Sequence, residues 1–309
     1  MKKITLFLGA LAATFLWGSA FPCLKTGYNI LHIDNYDIGG QLVFAGIRFS
    51  IAGIAVLILG MLMGKKIFLQ KSDKSFLQKW KLVILFAFVN TFLQYFFYYI
   101  GLANVSGTKG AIFNSLGTML MVIFGVIYYK TKLFGNKLFG VILGLSGVLV
   151  LCVSGVSGRI SIIGDGMLLA SSVFAAIGII VNKETTLDDD PVIVTGWHLF
   201  IGGIMLLVVG ILLHGTFTFD SIKAIILIGY MSFISAATCT IWSWLLKHNP
   251  VENVAIYKFM VPIFGTLLSC IFLHETINWQ VIVALLLVCA GIILVQAKDN
   301  EKKIDIEGQ

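Results

Sequence analysis

The sequence predicts an all-α integral membrane protein, with ten transmembrane helices arranged as two inverted five-helix repeats. Three observations predict it. The 309 residues are 58% hydrophobic and only 12% charged, whereas soluble domains carry about 25% charged residues. Ten apolar runs follow one another with short polar islands between them, each near the 20 or so residues that a helix needs to cross the hydrocarbon core. The second five runs echo the first five. The mean hydropathy is +0.96, so the chain needs lipid as part of its solvent. The lipid bilayer and a small-molecule substrate are the expected partners.

The runs cover roughly 4–25, 39–63, 81–103, 108–129, 136–155, 165–183, 191–213, 222–246, 253–273 and 279–297. Met1-Lys2-Lys3 before an apolar run resembles a signal peptide. The run passes Trp17 and reaches about Leu24, and many more follow, so an uncleaved first span is expected. Span two holds Arg48, and span three holds Asn90, Gln94 and a crowd of aromatics. Asn104-Val105-Ser106-Gly107 turns the chain into span four. Span five carries Gly140-xxx-Gly144, and span seven carries Gly202-Gly203; such small residues let helices approach closely. His248-Asn249-Pro250 separates spans eight and nine. Asp299–Gln309 is a polar tail. None of the runs alternates apolar with polar residues, as barrel strands would.

Lysine and arginine placement gives the orientation. With the N-terminus inside, 16 of these residues fall in cytoplasmic segments, and three, Lys109, Arg159 and Lys223, fall in outer ones. Lys25, Arg48 and Lys258 lie within spans. Both termini are therefore expected inside, in the cell membrane.

The second half repeats the first. A slide of 150 sets Arg48 on His198 and Gly53 on Gly203. A slide of 144 superposes spans three to five on spans eight to ten and sets Gly147 on Gly291, while a slide of 140 pairs Ile123-Phe-Gly125 with Ile263-Phe-Gly265. Five is odd, so the second half enters the membrane from the opposite side. Inverted halves suit alternating access around a midplane site. The expected units are 1–155, 156–298 and the tail 299–309.

Several function classes are excluded. The net charge of +7 sits in connecting loops without a basic, aromatic stacking surface, so nucleic acid is not expected. No GxxxxGK[ST] loop is present, so this chain has no ATPase domain. Cys23, Cys152, Cys239, Cys270 and Cys289 all lie in apolar runs, and no CxxC occurs. They read as small buried hydrophobes. With no metal-ligand cluster and no Ser/His/Asp arrangement, no cofactor and no metal are expected.

Ala255-Ile-Tyr-Lys-Phe-Met-Val-Pro262-Ile-Phe-Gly-Thr-Leu-Leu-Ser-Cys-Ile-Phe-Leu-His-Glu275, together with Trp17-Gly-Ser-Ala-Phe21 and Arg48-Phe49, resembles the drug/metabolite transporter superfamily, of EamA type. The resemblance covers about 4–297. It implies ten helices in two repeats, cytoplasmic termini, and export or exchange of amino acids or other small metabolites. In the family's ninth helix a proline, a small-residue turn and a closing glutamate recur, here Pro262 and Glu275. The first repeat departs from this, with Lys130-Thr-Lys132 where a glutamate would close span four. That weakens any role requiring two symmetric carboxylates.

The candidate binding residues are Lys258, Arg48, Tyr257, Asn114, Gln94, Tyr95, Trp242 and Trp17. A cation within a span costs about 2.5–3.5 kcal/mol on insertion scales and usually faces a cavity or a partner. Lys258 reads as a counter-charge for a carboxylate or phosphate, or as a lysine snorkelling to the interface. Arg48 is deeper and can hold a carboxylate bidentately, or bond backbone carbonyls. Lys25 reads as snorkelling outward. Tyr95, Trp17 and Trp242 offer a stacking surface or packing. Gln94 and Asn114 offer hydrogen bonds to substrate or between helices. Among candidate coupling and gating residues, His198 is a proton carrier or a helix–helix bond. Glu275 is a gate or a helix cap, and Pro22 and Pro262 can kink their helices. No Asp or Glu stands in the middle of any span, which argues against a carboxylate relay and for facilitated diffusion or exchange. The expected function is a secondary transporter of amino acids or related anions or zwitterions, and not an enzyme. The alternatives are a multidrug or lipophilic-cation exporter of the same fold and a membrane-embedded enzyme.

Overall fold

Backbone N–H and C=O groups in lipid must be satisfied within the segment, which leaves helices as the economical solution for apolar runs of this length. The computed structural model describes residues 3–67, 69, 76–129, 135–153, 161–186, 189–215, 221–248 and 256–296. Among the described residues all regular structure is helical. The helices are α1 (Lys3–Ile30), α2 (Ile38–Leu62), α3 (Phe76–Ala103), α4 (Gly107–Asn114), α5 (Leu116–Tyr129), α6 (Asn136–Val153), α7 (Ile162–Thr186), α8 (Pro191–Leu212), α9 (Ile222–His248), α10 (Met260–Leu273) and α11 (Trp279–Gln296). α1, α2, α3, α7, α8 and α9 contain stretches long and apolar enough to cross a membrane. α6, α10 and α11 hold shorter apolar stretches.

Caps explain several boundaries. Asp37 accepts from the backbone N–H of Gly40 and starts α2, and Asp190 accepts from that of Val192 and starts α8, with Pro191 at a first-turn position where no N–H is needed. The 104–107 turn falls between α3 and α4, as the sequence predicts. The 248–250 turn lies outside the described residues beyond His248, as do Lys130-Thr-Lys132 and the tail from Asp299.

Three features differ from simple spans. α3 runs through a π-helical stretch, Ala87–Leu93. The 108–129 run is two helices broken at Ser115. The ninth run begins with a 3-10 turn, Ile256–Phe259, before α10. Pro262 is the third residue of α10, where its missing N–H would have no helical partner anyway. Pro22 lies buried inside α1, which continues to Ile30.

Packing follows a glycine ladder. Gly39, Gly46, Gly53 and Gly60 recur every seven residues along α2, and Gly196, Gly203 and Gly210 do so along α8. An added Cβ would lie 2.5 Å from Leu207 N at Gly46, 2.4 Å from Phe200 N at Gly53 and 2.5 Å from Ser50 N at Gly203. The two helices are therefore antiparallel and in backbone contact. The pairs exchange under the offset of 150: Gly46 meets Leu207 and Gly196 meets Leu57, while Gly53 meets Phe200 and Gly203 meets Ser50. α6 and α11 behave likewise under 144, for Gly147 meets Ala284 and Gly291 meets Gly140. Other neighbours recur in the same sense. α1 packs on α9 as α7 packs on α3, and α2 packs on α9 as α8 packs on α3.

Polar contacts tie the two ends of the bundle. At one end Lys65 pairs with Asp190 at 2.8 Å, and Lys79 with Asp189 at 3.1 Å. At the other end Lys109 pairs with Asp165 at 2.7 Å. Lys109 thus departs from its expected place in an outer loop: it is inside α4 and 1% exposed, because a carboxylate from α7 neutralises it. Lys25 does not snorkel freely. Its Nζ donates to the carbonyls of Leu102 and Ala103, at the C-terminal end of α3, where a cation is favoured.

Candidate functional site

Arg48 lies two residues beyond Gly46, so at about 100° per residue it faces well away from the ladder. It is 5% exposed. Its Nε donates to the carbonyl of Met231 at 3.2 Å and to Ser235 Oγ at 3.1 Å, both on α9. Its Nη1 donates to the Tyr99 hydroxyl at 3.1 Å, and the guanidinium lies 4.9 Å from the centre of the Phe49 ring. Nη2 makes no hydrogen bond to a described residue, and among the described residues no carboxylate touches the group.

The surrounding wall is aromatic. Tyr95, Tyr98 and Tyr99 share one face of α3 at i, i+3 and i+4 spacing. The Phe49 and Tyr95 rings are 4.2 Å apart. Phe21 of α1 meets Tyr98 edge-on, and the Tyr28 hydroxyl donates to the Tyr99 carbonyl at 2.8 Å, which steadies the residue that receives Arg48. Neither Tyr28 nor Tyr99 could be assigned from the sequence beyond general crowding, because their partners are about 70 residues apart in the chain.

Farther along α9, Trp242 follows Ser235 by seven residues, a rise of about 10 Å on nearly the same face. Trp242 meets Trp17 of α1 at 5.2 Å, and the Lys258 ammonium lies 5.6 Å from the Trp242 ring centre, within cation–π range. The structure thus brings Lys258, Trp242 and Trp17 together, and α9 links them to Arg48. Tyr257 meets Phe7 at 6.1 Å and, like Trp242, packs on a small apolar cluster of Leu6, Ala10 and Leu245. Gln94 is half-buried beside Tyr95. Asn114 is exposed where α4 ends and joins none of these contacts.

The other candidates have local duties. Glu275 Oε1 accepts from Gly107 N at 2.7 Å and Oε2 from Thr108 N at 2.8 Å. It caps α4 from another part of the chain, where an anion meets the positive end of the helix dipole. His198 Nδ1 shares a hydrogen bond of 2.8 Å with Thr91 Oγ1 in the π-helical stretch, and its ring lies 4.1 Å from Phe86. The helices beside it, α2 over 51–57, α3 over 82–94 and α7 over 166–181, carry no titratable side chain there. His198 thus makes a helix–helix hydrogen bond between α8 and α3.

Sequence reading missed the Lys109–Asp165 pair, since both residues stand near span ends and look like loop charges. Asp165 Oδ2 accepts from Lys109 and from Ser161 N. Its Oδ1 lies 2.7 Å from Lys109 Nζ, so both carboxylate oxygens face the ammonium.

Two hollows lie elsewhere. An apolar groove of about 440 Å³ runs between α3, α5 and α7 along Leu82, Leu85, Phe124 and Ile177. A smaller polar one, about 270 Å³, holds Lys65, Asp189 and Asp190. Arg48 lines neither; chemistry and not hollow size marks the site.

The EamA-like transporter family matches residues 4–153 and 162–297. The uncharacterized transporter YvbV of Bacillus subtilis is 28% identical over 98% of this chain and 96% of its own. The uncharacterized transporter YoaV of the same organism is 21% identical over 97% and 100%. A chloroplastic WAT1-related protein of Arabidopsis thaliana is 24% identical over 85% of this chain and 63% of its own. One protein solved by crystallography shares the fold with a TM-score of 0.70, at 16% identity, over 95% of this chain and 96% of that one.

Proposed function

Because the chain belongs to the EamA-like transporter family, we propose that it exchanges or exports amino acids or related anions and zwitterions by alternating access. It is a multi-pass membrane transporter of drug/metabolite type; the substrate class and the mechanism are the proposal. The observation that carries it is Arg48. A buried ion costs several kcal/mol unless paired, and this guanidinium has hydroxyl and carbonyl partners and an Nη2 that bonds no described residue. A substrate carboxylate on that edge supplies the missing counter-charge. Lys258, over Trp242, is a second positive station along α9, and the flanking rings of Trp17, Tyr95 and Tyr98 favour a substrate with a flat or apolar portion.

The mechanism rests on ten spans in two inverted halves. Counting α4 with α5, and the 3-10 turn with α10, gives the ten. The contacts that exchange under 150 and 144 support a two-fold axis in the membrane plane, as does the division of the family match into 4–153 and 162–297. Lysine placement supports cytoplasmic termini in the cell membrane.

The test is counterflow in proteoliposomes with a panel of amino acids, organic acids, sugar phosphates and cationic dyes. Saturable exchange of an anion or zwitterion, lost in Arg48→Ala and weakened in Lys258→Ala, is expected. Normal exchange in both variants refutes charge recognition, and exchange of dyes alone turns the reading to lipophilic-cation export.

A further inference from the structure

The geometry points to a π turn that changes helix during transport, lying in α3 over 87–93 in the present state and in α9 over 231–237 in the other. This rests on the inverted-repeat reading above. π-helical turns are rare, give up regular i to i−4 bonding and concentrate at functional positions, so one that sits in only one of two equivalent helices calls for a reason.

The offset of 144 sets Ala87–Leu93 on residues 231–237, which are regular α-helix in α9. At that place the two halves make equivalent bonds. Ser235 receives Arg48 at 3.1 Å and Thr91 meets His198 at 2.8 Å. Thr91 plus 144 is Ser235, and Arg48 plus 150 is His198. The partners correspond, yet one helix is widened and the other is not. In a molecule of two inverted halves, each half adopts in one state the conformation that the other half shows in the opposite state. The difference between α3 and α9 at this position is then the difference between the states.

Local chemistry makes the exchange feasible. Met231 is the counterpart of Ala87, where the π turn begins. Its carbonyl already accepts from Arg48 Nε at 3.2 Å and from Ser235 Oγ at 3.3 Å. When its helical N–H moves away, that oxygen keeps its donors, so opening α9 there leaves no orphaned carbonyl. On the α3 side, Gly178 and Gly202 lie against Asn90 and Thr91, where any Cβ would collide, so the widened turn has a smooth bed. The groove beside Leu82 and Leu85 leaves room for that half of α3 to turn. Substrate held on the Nη2 edge of Arg48, whose Nε bonds Met231, links binding to the change.

The test removes the extra residue from one helix and supplies it to the other. Phe88, exposed in the π turn, is deleted, and one alanine is inserted after Ser232, its counterpart; each change is also made alone. The reporters are Cys23 and Cys239, both half-buried and packed against the core that holds Phe49 and Tyr99. They are labelled with a membrane-impermeant maleimide from each face of oriented proteoliposomes. In the folded double variant, the face from which they react is expected to reverse by about tenfold or more as the population shifts, and counterflow is lost. Unchanged labelling, or normal counterflow, overturns the inference. Should the variants fail to fold, amide hydrogen exchange on the unaltered chain decides. Each member of the counterflow panel is added in turn; a compound that is exchanged must move the protection of 87–93 and of 231–237 in opposite directions. Change in the same sense, or in neither, overturns it. A wild-type chain that exchanges nothing sinks the transport reading, while the labelling comparison still reports on the turn.

Discussion

Arg48 was legible in the sequence because a deep intramembrane cation is costly enough to demand a reason. Its partners were not, since Tyr99, Met231 and Ser235 come from two other helices. Tyr99→Phe removes one acceptor from Nη1. A net hydrogen bond is about 1 kcal/mol, so KM for counterflow should rise roughly fivefold with maximal rate retained; an unchanged KM would show that the hydroxyl plays no part in orienting the guanidinium. Lys109 shows the opposite limit of sequence reading. Its partner Asp165 is 56 residues away, and nothing local distinguishes a buried charge near a helix start from a loop charge. Removing one member of a buried pair strands the other and costs about 3–5 kcal/mol, whereas apolar replacement of both is often neutral. Lys109→Ala should therefore lower the thermal midpoint in detergent markedly, and Lys109→Met with Asp165→Leu should recover most of it. Equal loss in both would mean that the pair itself, rather than its completeness, holds α4 to α7.

At the scale of the element, the helices were readable from run length and the start of α4 from the 104–107 turn, whereas Asp37 and Asp190 show themselves as caps only in the structure. Window hydropathy averages over single-residue events, so the π turn of α3 and the break at Ser115 left no trace. The glycine ladder was half-seen. Gly53 and Gly203 were aligned by the offset, but the sevenfold spacing of α2 shows its purpose only once α8 is laid against it. Because a Cβ at Gly53 would lie 2.4 Å from Phe200 N, Gly53→Leu must force two backbones apart along their length. It should abolish the monodisperse folded peak on size exclusion. Gly229, with nothing within 4 Å of an added Cβ, is the control. Gly229→Ala should be neutral or stabilising by about 0.5–1 kcal/mol, since glycine inside a helix carries an entropic cost. Comparable damage from both substitutions would mean that helix flexibility, not the close approach of α2 and α8, is what these glycines provide.

At the scale of the whole molecule, the offsets of 150 and 144 were faint in sequence because few identities accompany them. The contacts lend them more support, since the proposed two-fold axis would constrain which pairs touch and not which residues they are. Such an axis in the membrane plane makes the orientation of every helix follow from that of one. α2 is the best helix to test, because exposed residues flank it: Tyr36, 88% exposed, precedes it, and Lys66 follows it. Lys65, Lys66 and Lys79 gather at the second end, and positive charge resists transfer across the membrane. In a chain whose five cysteines are replaced, Lys66→Cys should react with an impermeant maleimide only from the cytoplasmic face and Tyr36→Cys only from the outer face. Reversed labelling would invert the whole bundle and move Lys258 to the outer side, where it would meet substrate at the outer face instead of substrate entering from the cytoplasm. Labelling of both from one face would mean that α2 does not cross, and the two-fold axis would lose one of the helix pairs that define it.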